Sequence, residues 1–174
     1  MAGTDRLGGA ITGASGRMGG ELVDAAAGRD DVAVVLAASR TPELVPSGDA
    51  PGAPDAVVAD TDLAGALDEH DVDAVVDFTV PEASVDYLRA AADAGVAAMV
   101  GTTGYDDEGR AAPDAVAGRV PLLKASHLSR AVAALRRPVR ATVPARDGHN
   151  AEGTHTHHTG TRDAPHQRAH PSAR

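Results

Sequence analysis

Short apolar runs alternate with helix-like segments along most of the first 125 residues of the chain. The apolar runs are rich in valine and bounded by glycine, proline or aspartate, and they comprise residues 32–38, 74–78, 96–100 and 120–123. The helix-like segments comprise residues 18–27, 63–69, 82–94 and 111–117. Short valine-rich runs are typical of strands buried on both faces, and parallel strands need long, usually helical crossovers. The alternation therefore predicts an α/β fold with a doubly wound, mostly parallel sheet.

A glycine-rich turn stands at the start of the first helix-like segment. Residues 10–20 read AITGASGRMGG, which is typical of a strand that enters a tight turn and then a helix. Gly13 allows the sharp turn, Gly16 allows backbone N–H groups to approach a pyrophosphate, and Gly19 allows the helix to pack closely on its strand. The turn predicts a phosphate-binding site of the Rossmann type, which needs support from other loops because one glycine pattern has low specificity.

Local signals mark the limits of several other elements. Gly8 and Gly9 weaken the opening strand, since glycine adds no side chain to its packing. Residues 39–55 hold four prolines and two glycines and are predicted to form an irregular surface loop. Pro81 suits the first turn of the third helix, and Gly95 suits its end.

The character of the chain changes near residue 130. Pro138 interrupts a helix-like segment, and after Pro144 apolar periodicity gives way to histidine, threonine, glycine and arginine. We therefore predict a dinucleotide-binding domain over residues 1–130 and an incomplete second domain over residues 131–174, poorly ordered after residue 144.

Composition narrows the class of protein. A chain of 174 residues that is 43% hydrophobic can bury one sizeable core, and the lack of cysteine excludes disulfides and thiolate metal sites. The formal net charge of −9 argues against a nucleic-acid partner, because phosphate contacts need clustered lysine and arginine. No apolar run approaches the ~20 residues of a membrane span, and the N-terminus lacks an apolar signal region. We therefore expect a soluble cytoplasmic protein with no membrane partner.

Ser39 stands where a Rossmann fold normally presents the residue that reads the adenosine ribose, twenty positions after Gly19 and at the end of the second strand. A carboxylate there would bind the 2′-hydroxyl and repel a 2′-phosphate. Ser39 and Arg40, helped by Arg17, instead suit a phosphate, which favours NADPH over NADH. The alternative is that Arg40 is a solvated loop charge with no role in binding.

Two further loops follow later strands of the predicted sheet. Phe78 and Thr79 come after the fourth strand, and the glycine–threonine run 101–104 comes after the fifth. Ligands of open α/β sheets lie at the carboxyl ends of the strands, so these loops are expected to line the nicotinamide side. Each loop taken singly is also consistent with ordinary strand-to-helix punctuation.

Four motifs together resemble the 4-hydroxy-tetrahydrodipicolinate reductase (dihydrodipicolinate reductase) family. They are GASGRMG at 13–19, DFTVPE at 77–82, VGTTGY at 100–105 and HHTGTRDAP at 157–165, and the resemblance runs over about residues 10–165. It implies a Rossmann-type domain for NADPH or NADH, followed by an α+β domain that binds a small dicarboxylate and forms a homotetramer. It also implies reduction of 4-hydroxy-tetrahydrodipicolinate to tetrahydrodipicolinate in the diaminopimelate route of lysine biosynthesis.

The resemblance also assigns site residues by position. The proton donor is His157, and His158 contacts the substrate. The cofactor contacts are Gly13, Ala14, Ser15, Gly16, Arg17, Met18, Ser39, Arg40, Phe78, Thr79, Gly101, Thr102, Thr103, Ser126 and His127.

The chain departs from the family pattern in its last part. The family's catalytic lysine falls on Thr161, which carries no positive charge to meet a carboxylate or a developing negative charge. Residues 166–168 read HQR where the family has SGT. We interpret this region as that of a truncated or frame-disturbed copy and expect catalysis to be compromised.

Three alternatives stay open from the sequence. The chain could be a non-catalytic NADPH-binding module, or a Rossmann oxidoreductase that acts on another imine or carbonyl. Histidines crowd the last part of the chain and could together hold a metal ion; they are His149, His155, His157, His158, His166 and His170. Because their spacing matches no strong zinc pattern, we predict no metal site and attribute them to biased composition.

Overall fold

The computed structural model describes residues 6–107 and 109–125. Its strands are β1 (Leu7–Thr12), β2 (Val32–Ser39), β3 (Ala56–Ala59), β4 (Ala74–Asp77), β5 (Ala97–Val100) and β6 (Leu122–Lys124). Its α-helices are α1 (Arg17–Ala27), α2 (Leu63–Glu69), α3 (Pro81–Asp93) and α4 (Ala111–Ala117). Two short 3₁₀ helices, Pro42–Leu44 and Asp60–Asp62, lie before and after β3.

The six strands form one sheet in the order β3-β2-β1-β4-β5-β6, and every neighbouring pair is parallel. The sheet grows outward in one direction from β1 to β3 and in the other from β4 to β6. This arrangement confirms the predicted Rossmann-type, doubly wound sheet. The order reverses between β1 and β4, and a ligand crevice of an open α/β sheet lies at that reversal, beyond the carboxyl ends of the strands.

The core lies on both faces of the sheet, as the valine-rich runs predict. Leu36 and Ala37 follow each other along β2 and join opposite clusters, because successive strand residues point to opposite faces. Large buried side chains of the first cluster are Leu36, Leu63, Val75, Leu88 and Val100. The second cluster contains Ile11, Ala14, Val23, Val34, Ala37 and Val45.

Strand β1 lies at the centre of the sheet despite its two glycines. A Cβ on Gly8 would overlap the carbonyl oxygen of Asp71 and lie 3.4 Å from Val35 Cγ2. The Gly8 N–H also donates to Asp73 Oδ2 at 2.7 Å. Glycine therefore allows the segment before β4 to lie directly against β1, which offsets the weakness that glycine brings to a strand.

The predicted loop is confirmed over residues 40–55, between β2 and β3. It contains the 3₁₀ helix Pro42–Leu44 near its start, and Val45 next to this helix is buried in the second core cluster instead of lying on the surface. The following strand β3 has no counterpart among the predicted apolar runs. It is a four-residue edge strand of only partly buried residues, so it lacks both the length and the alternation of a strand pattern.

Other predicted limits agree with the structure to within two residues. Pro81 is the first residue of α3, and Gly95 follows this helix with φ +71, a left-handed conformation that suits glycine. The fourth strand ends at Asp77, one residue before the prediction, because Phe78 already belongs to the turn.

The predicted domain boundary near residue 130 lies outside the described residues and stays a prediction. Within residues 6–107 and 109–125, none of the helices is long and apolar enough to span a membrane.

Candidate cofactor-binding site

The glycine turn after β1 is compact enough that two of its glycines have no room for a side chain. Gly13 has φ +66, and a Cβ there would lie 2.6 Å from Thr79 Cγ2. A Cβ on Gly19 would overlap the Gly13 carbonyl oxygen and lie 2.7 Å from Ala14 Cα. Helix α1 therefore packs directly on the turn, as its sequence predicts.

Helix α1 begins at Arg17 and presents its positive end to the crevice. Gly16 is the N-cap residue, and neither a capping side chain nor an acidic residue occupies the first turn. The N–H groups of Ala14 and Gly16 bond Ala38 O at 3.2 Å and Gly13 O at 2.8 Å, which fixes the turn. The first N–H groups of an α-helix have no carbonyl partner within the helix, so this end favours an anion.

Three hydroxyl groups meet at the carboxyl end of β2, and we call Ser15, Ser39 and Thr41 the hydroxyl cluster. Ser15 Oγ lies 2.6 Å from Ser39 Oγ and 2.8 Å from Thr41 Oγ1. The Thr41 N–H donates to Ser39 Oγ at 3.1 Å. Ser39 is buried below the other two, whereas Ser15 and Arg40 are exposed. The end of β2 thus carries hydroxyls and a cation where a carboxylate would exclude a 2′-phosphate.

The loops after β4 and β5 touch each other. A Cβ on Gly101 would lie 2.5 Å from Phe78 Cδ1 and 2.7 Å from Phe78 Cζ, so the ring packs on the bare glycine backbone. The Gly101 N–H donates to the Asp77 carbonyl oxygen at 2.8 Å. The two motifs that the sequence presents 22 positions apart, at Phe78–Thr79 and at 101–104, thus form one surface beside the glycine turn.

A buried carboxylate, Asp77, lies below this surface at the end of β4. Its Oδ1 accepts hydrogen bonds from the Thr12 hydroxyl at 2.8 Å, the Thr79 hydroxyl at 2.6 Å and the Thr79 N–H at 3.2 Å. Its Oδ2 accepts from the Thr102 hydroxyl at 2.7 Å and from the Ser84 hydroxyl. Asp77 has no solvent exposure.

Tyr105 extends this network. Its hydroxyl lies 2.5 Å from Ser84 Oγ. Because the single Ser84 proton goes to Asp77, the phenol is the donor in this contact. Burial raises the pKa of Tyr105, and the charge of Asp77 acts in the same direction. The phenol is therefore neutral at neutral pH.

A second buried tyrosine lies toward the adenosine side. The Tyr87 hydroxyl donates to Asp60 Oδ2 at 3.0 Å. Burial is the main cause that raises the pKa of Tyr87 well above its usual range; the hydrogen bond to Asp60 adds to it, and the positive charge of Arg40 opposes it.

The structure brings most of the predicted cofactor residues to one edge of the sheet. These residues are Gly13, Ala14, Ser15, Gly16, Arg17, Met18, Ser39, Arg40, Phe78, Thr79, Gly101, Thr102 and Thr103. Ala14 and Thr102 are buried, so their side chains lie within the protein below the crevice. The sequence did not indicate the partners Thr12, Thr41, Asp77, Ser84 and Tyr105. Ser126, His127, His157, His158, Thr161 and the other candidate metal-ligand histidines lie outside the described residues.

Comparison with known sequences identifies relatives over most of the chain. The profile of the family described as "Dihydrodipicolinate reductase, N-terminus" matches residues 9–128. The 4-hydroxy-tetrahydrodipicolinate reductase of Natronomonas pharaonis is 41% identical over 155 residues, which cover 89% of this chain and 58% of that protein. The enzyme of the same name from Haloarcula marismortui is 38% identical over 156 residues, with 90% and 59% covered. The chain thus spans just under three fifths of the length of these curated relatives.

Solved structures share the fold at low sequence identity. An apo scyllo-inositol dehydrogenase from Lactobacillus casei superposes with a TM-score of 0.61 at 17% identity, covering 79% of this chain and 42% of that one. A dipicolinate-bound dihydrodipicolinate reductase from Paenisporosarcina sp. TG-14 superposes with a TM-score of 0.50 at 19% identity, covering 63% and 42%. At these identities the structures support the Rossmann-type fold alone. The family profile matches more than half of the chain, and the chain therefore belongs to the dihydrodipicolinate reductase family.

Proposed function

We propose that the described part of this chain holds NADPH for the reduction of 4-hydroxy-tetrahydrodipicolinate to tetrahydrodipicolinate, in the diaminopimelate route of lysine biosynthesis. One observation carries the proposal. The glycine turn, the hydroxyl cluster and the Phe78–Gly101 contact lie at one edge of a Rossmann-type sheet, in a chain that belongs to this family. The cofactor would supply hydride when bound, and the residues of the chain would position it.

The proposed pyrophosphate site is the start of helix α1. Gly13 and Gly19 keep the turn close to the helix, and no acidic residue in the first turn opposes an anion. The exposed Arg17 adds a positive charge at this helix end. Backbone N–H groups at a helix start and a nearby guanidinium are both suited to bind a phosphate.

We assign the preference for NADPH to the end of β2. Ser15 and Thr41 would donate hydroxyl hydrogen bonds to the 2′-phosphate, and Arg40 would supply charge. Ser39 would hold the Ser15 hydroxyl and the Thr41 backbone N–H in place. A 2′-phosphate is poorly accepted where a carboxylate ends this strand, because like charges repel. NADH lacks the phosphate and would gain little from Arg40.

The nicotinamide would lie against the surface formed by Phe78, Thr79 and Gly101. The Phe78 ring covers the Gly101 backbone and offers an apolar platform, while Thr79 packs against the glycine turn. An apolar platform that excludes water and orients one ring face is what hydride transfer to a bound substrate needs.

We propose His157 as the proton donor and His158 as a contact to the dicarboxylate substrate, by position in the family pattern. Thr161 at the lysine position lacks the positive charge that would stabilise a substrate carboxylate. We therefore propose that NADPH binding is retained and that turnover is weak. The cytoplasm as its compartment and the homotetramer of the family stay predictions, and light scattering of the purified chain would measure its assembly.

Two measurements on the purified chain test the proposal. NADPH at a hundred times its Kd should stabilise the fold by about 2.7 kcal/mol, which raises the Tm by roughly 5–10 °C. NADPH absorbance should fall slowly when the hydroxylated substrate is supplied, and His157→Ala should lower this rate without changing the NADPH Kd. Lack of stabilisation by both NADPH and NADH would contradict the proposal.

A non-catalytic NADPH-binding module is the second candidate, and Thr161 is the observation that favours it. This candidate predicts the same thermal stabilisation with no oxidation of NADPH. The variant Thr161→Lys separates the two, because it restores the charge at the family's lysine position. A gain of turnover in this variant would support an impaired reductase, and no gain would support the binding module.

A further inference from the structure

Asp77 is a fully buried carboxylate, and its partners within residues 6–107 and 109–125 are hydrogen-bond donors. It does not take part in the ion pairs of residues 6–107 and 109–125. A buried charge is costly unless it is paired or fully hydrogen-bonded. Five donated hydrogen bonds satisfy both oxygens here. One of them comes from the Thr79 backbone N–H, which can donate but cannot accept.

The donors come from four separate elements. Thr12 ends β1, Thr79 lies in the loop after β4, Ser84 lies in the first turn of α3, and Thr102 lies in the loop after β5. The sheet register explains their meeting, because Asp77 pairs with Thr12 on one side and with Val100 on the other. One carboxylate therefore joins all the elements that surround the proposed nicotinamide site.

Three of these bonds act directly on the surface of the crevice. Thr79 is held through both its N–H and its hydroxyl, and its Cγ2 lies where a Gly13 side chain would be, at 2.6 Å from an ideal Cβ. Thr102 is held next to Gly101, on which the Phe78 ring packs. The carboxylate thus sets the distance between the glycine turn and the Phe78–Gly101 contact.

We propose that Asp77 is a positioning residue for the nicotinamide half of the cofactor, which it does not touch. Its carboxylate holds the loops of Thr79 and Thr102 in the spacing that the nicotinamide and its ribose require. This inference rests on the proposed function. It differs from a merely structural role, because it predicts a loss confined to one half of the cofactor.

The test compares two ligands on the full chain. NADPH spans the whole crevice, whereas adenosine 2′,5′-bisphosphate carries the adenosine and the 2′-phosphate but no nicotinamide. In Asp77→Asn an amide NH₂ replaces one acceptor oxygen and the negative charge is lost, so the Ser84 and Thr102 hydroxyls must reverse to accept, and every remaining bond is weaker than a bond to a carboxylate. We expect the NADPH Kd to rise about tenfold, about 1.4 kcal/mol, while the bisphosphate Kd stays within about twofold.

Asp73→Asn is the matched control. Asp73 Oδ2 accepts from the Gly8 N–H at 2.7 Å, so the same substitution removes the charge of a hydrogen-bonded carboxylate at the amino end of the same sheet. We expect unchanged Kd values for both ligands in this variant. Titrations are made well below the Tm of every variant, which removes the contribution of unfolded chain.

A second pair keeps the test decisive if Asp77→Asn fails to fold. Thr102→Val removes the hydroxyl donor and keeps the shape, and Thr102→Ser keeps the donor. We expect the valine variant to raise the NADPH Kd severalfold and the serine variant to restore it to within twofold. The inference would be overturned by equal effects of Thr102→Val and Thr102→Ser, or by equal rises in the Kd of NADPH and of the bisphosphate in a variant. It would also be overturned by an unchanged NADPH Kd in folded Asp77→Asn. Absence of NADPH binding by the unmodified chain would instead overturn the proposed function.

Discussion

The two ends of the candidate cofactor site are built in different ways. At the adenosine end, after β2, Ser15 and Arg40 are exposed and can adjust to a ligand. At the nicotinamide end, after β4 and β5, the fully buried Asp77 fixes the loops from below. In the proposed function, one end recognises a phosphate by charge and hydroxyls, while the other end sets the position of a reacting ring.

The glycine turn serves both ends, so its disruption should have the largest effect. In Gly19→Ala the new Cβ would meet backbone atoms of Gly13 and Ala14, which have little freedom to move. We expect a loss of about 1–3 kcal/mol in the free energy of unfolding and a rise of more than tenfold in the Kd of both NADPH and the bisphosphate. Urea unfolding and titration calorimetry measure the two effects.

Gly20→Ala is the control for this variant. The nearest atom to its Cβ is Ala14 O at 3.9 Å, an ordinary contact. Alanine is a better helix former than glycine, so we expect equal or higher stability, by up to about 1 kcal/mol, and unchanged affinities. If both alanine variants behaved alike, close packing of α1 on the turn would not be the reason for Gly19.

A second substitution should affect the nicotinamide end alone. Gly101→Ala places a methyl group in the Phe78 ring, which must then move off its platform. We expect the NADPH Kd to rise about tenfold and the bisphosphate Kd to stay within about twofold, by fluorescence titration. Gly65→Ala is the control, because its Cβ would meet nothing within 4 Å. Similar rises in the Kd of NADPH and of the bisphosphate in Gly101→Ala would show that the two ends are not independent.

The adenosine end is tested by removing its cation. Arg40→Ala should raise the NADPH Kd roughly tenfold and leave the NADH Kd within about twofold. A charge-assisted bond to phosphate is worth about 1.5–3 kcal/mol when it is buried, and it is worth less at this exposed site. Arg29→Ala, which removes an exposed arginine paired with Asp31, should change neither value. Equal losses of NADPH and NADH would mean that Arg40 does not contact the 2′-phosphate.

The two ends also differ in how far the sequence predicts them. The ribose-reading position at Ser39 and the loop at Phe78 follow from strand ends, because neighbouring parallel strands present their carboxyl ends at one edge. In the Asp77 network, only the bonds from Thr79, two residues further on, belong to a local turn. The other bonds do not follow from any local pattern. The donor Thr12 lies 65 positions from Asp77, and only the sheet register brings the two together.

The fold itself was largely predictable, and its exceptions have physical causes. The buried strands β2, β4 and β5 carry enough apolar residues to be recognised, whereas β3 is a short, partly buried edge strand with no clear period. The central position of β1 depends on Gly8, where the chain before β4 needs space that the sequence does not reveal. Local patterns thus indicate elements, and tertiary contacts decide which weak elements form.

The smallest expected effects on cofactor affinity concern the two buried tyrosines, one near each end. Burial raises the pKa of both Tyr87 and Tyr105, so the folded state favours the neutral phenol. Below the unfolded pKa of about 10 the phenols are neutral in both the folded and the unfolded state, so they add no pH dependence to the free energy of unfolding. Above about pH 10 the unfolded chain ionises first, and the free energy of unfolding should fall by up to about 1.4 kcal/mol per pH unit for each tyrosine. Since the chain has two tyrosines and one lysine, urea unfolding in this pH range reports mainly on the tyrosines.

Phenylalanine variants show which tyrosine causes the alkaline fall in the free energy of unfolding. They also compare the two ends of the site. Tyr87→Phe and Tyr105→Phe should each remove part of the alkaline loss of stability. Tyr105→Phe should also raise the NADPH Kd by no more than about twofold, because Ser84 still donates to Asp77 and all five bonds to the carboxylate remain. Tyr87→Phe should leave both ligands unchanged. If Tyr105→Phe weakened NADPH as much as Thr102→Val, the loops would be held by the whole chain of hydroxyls, and Asp77 would lose its place as the group that fixes the nicotinamide end.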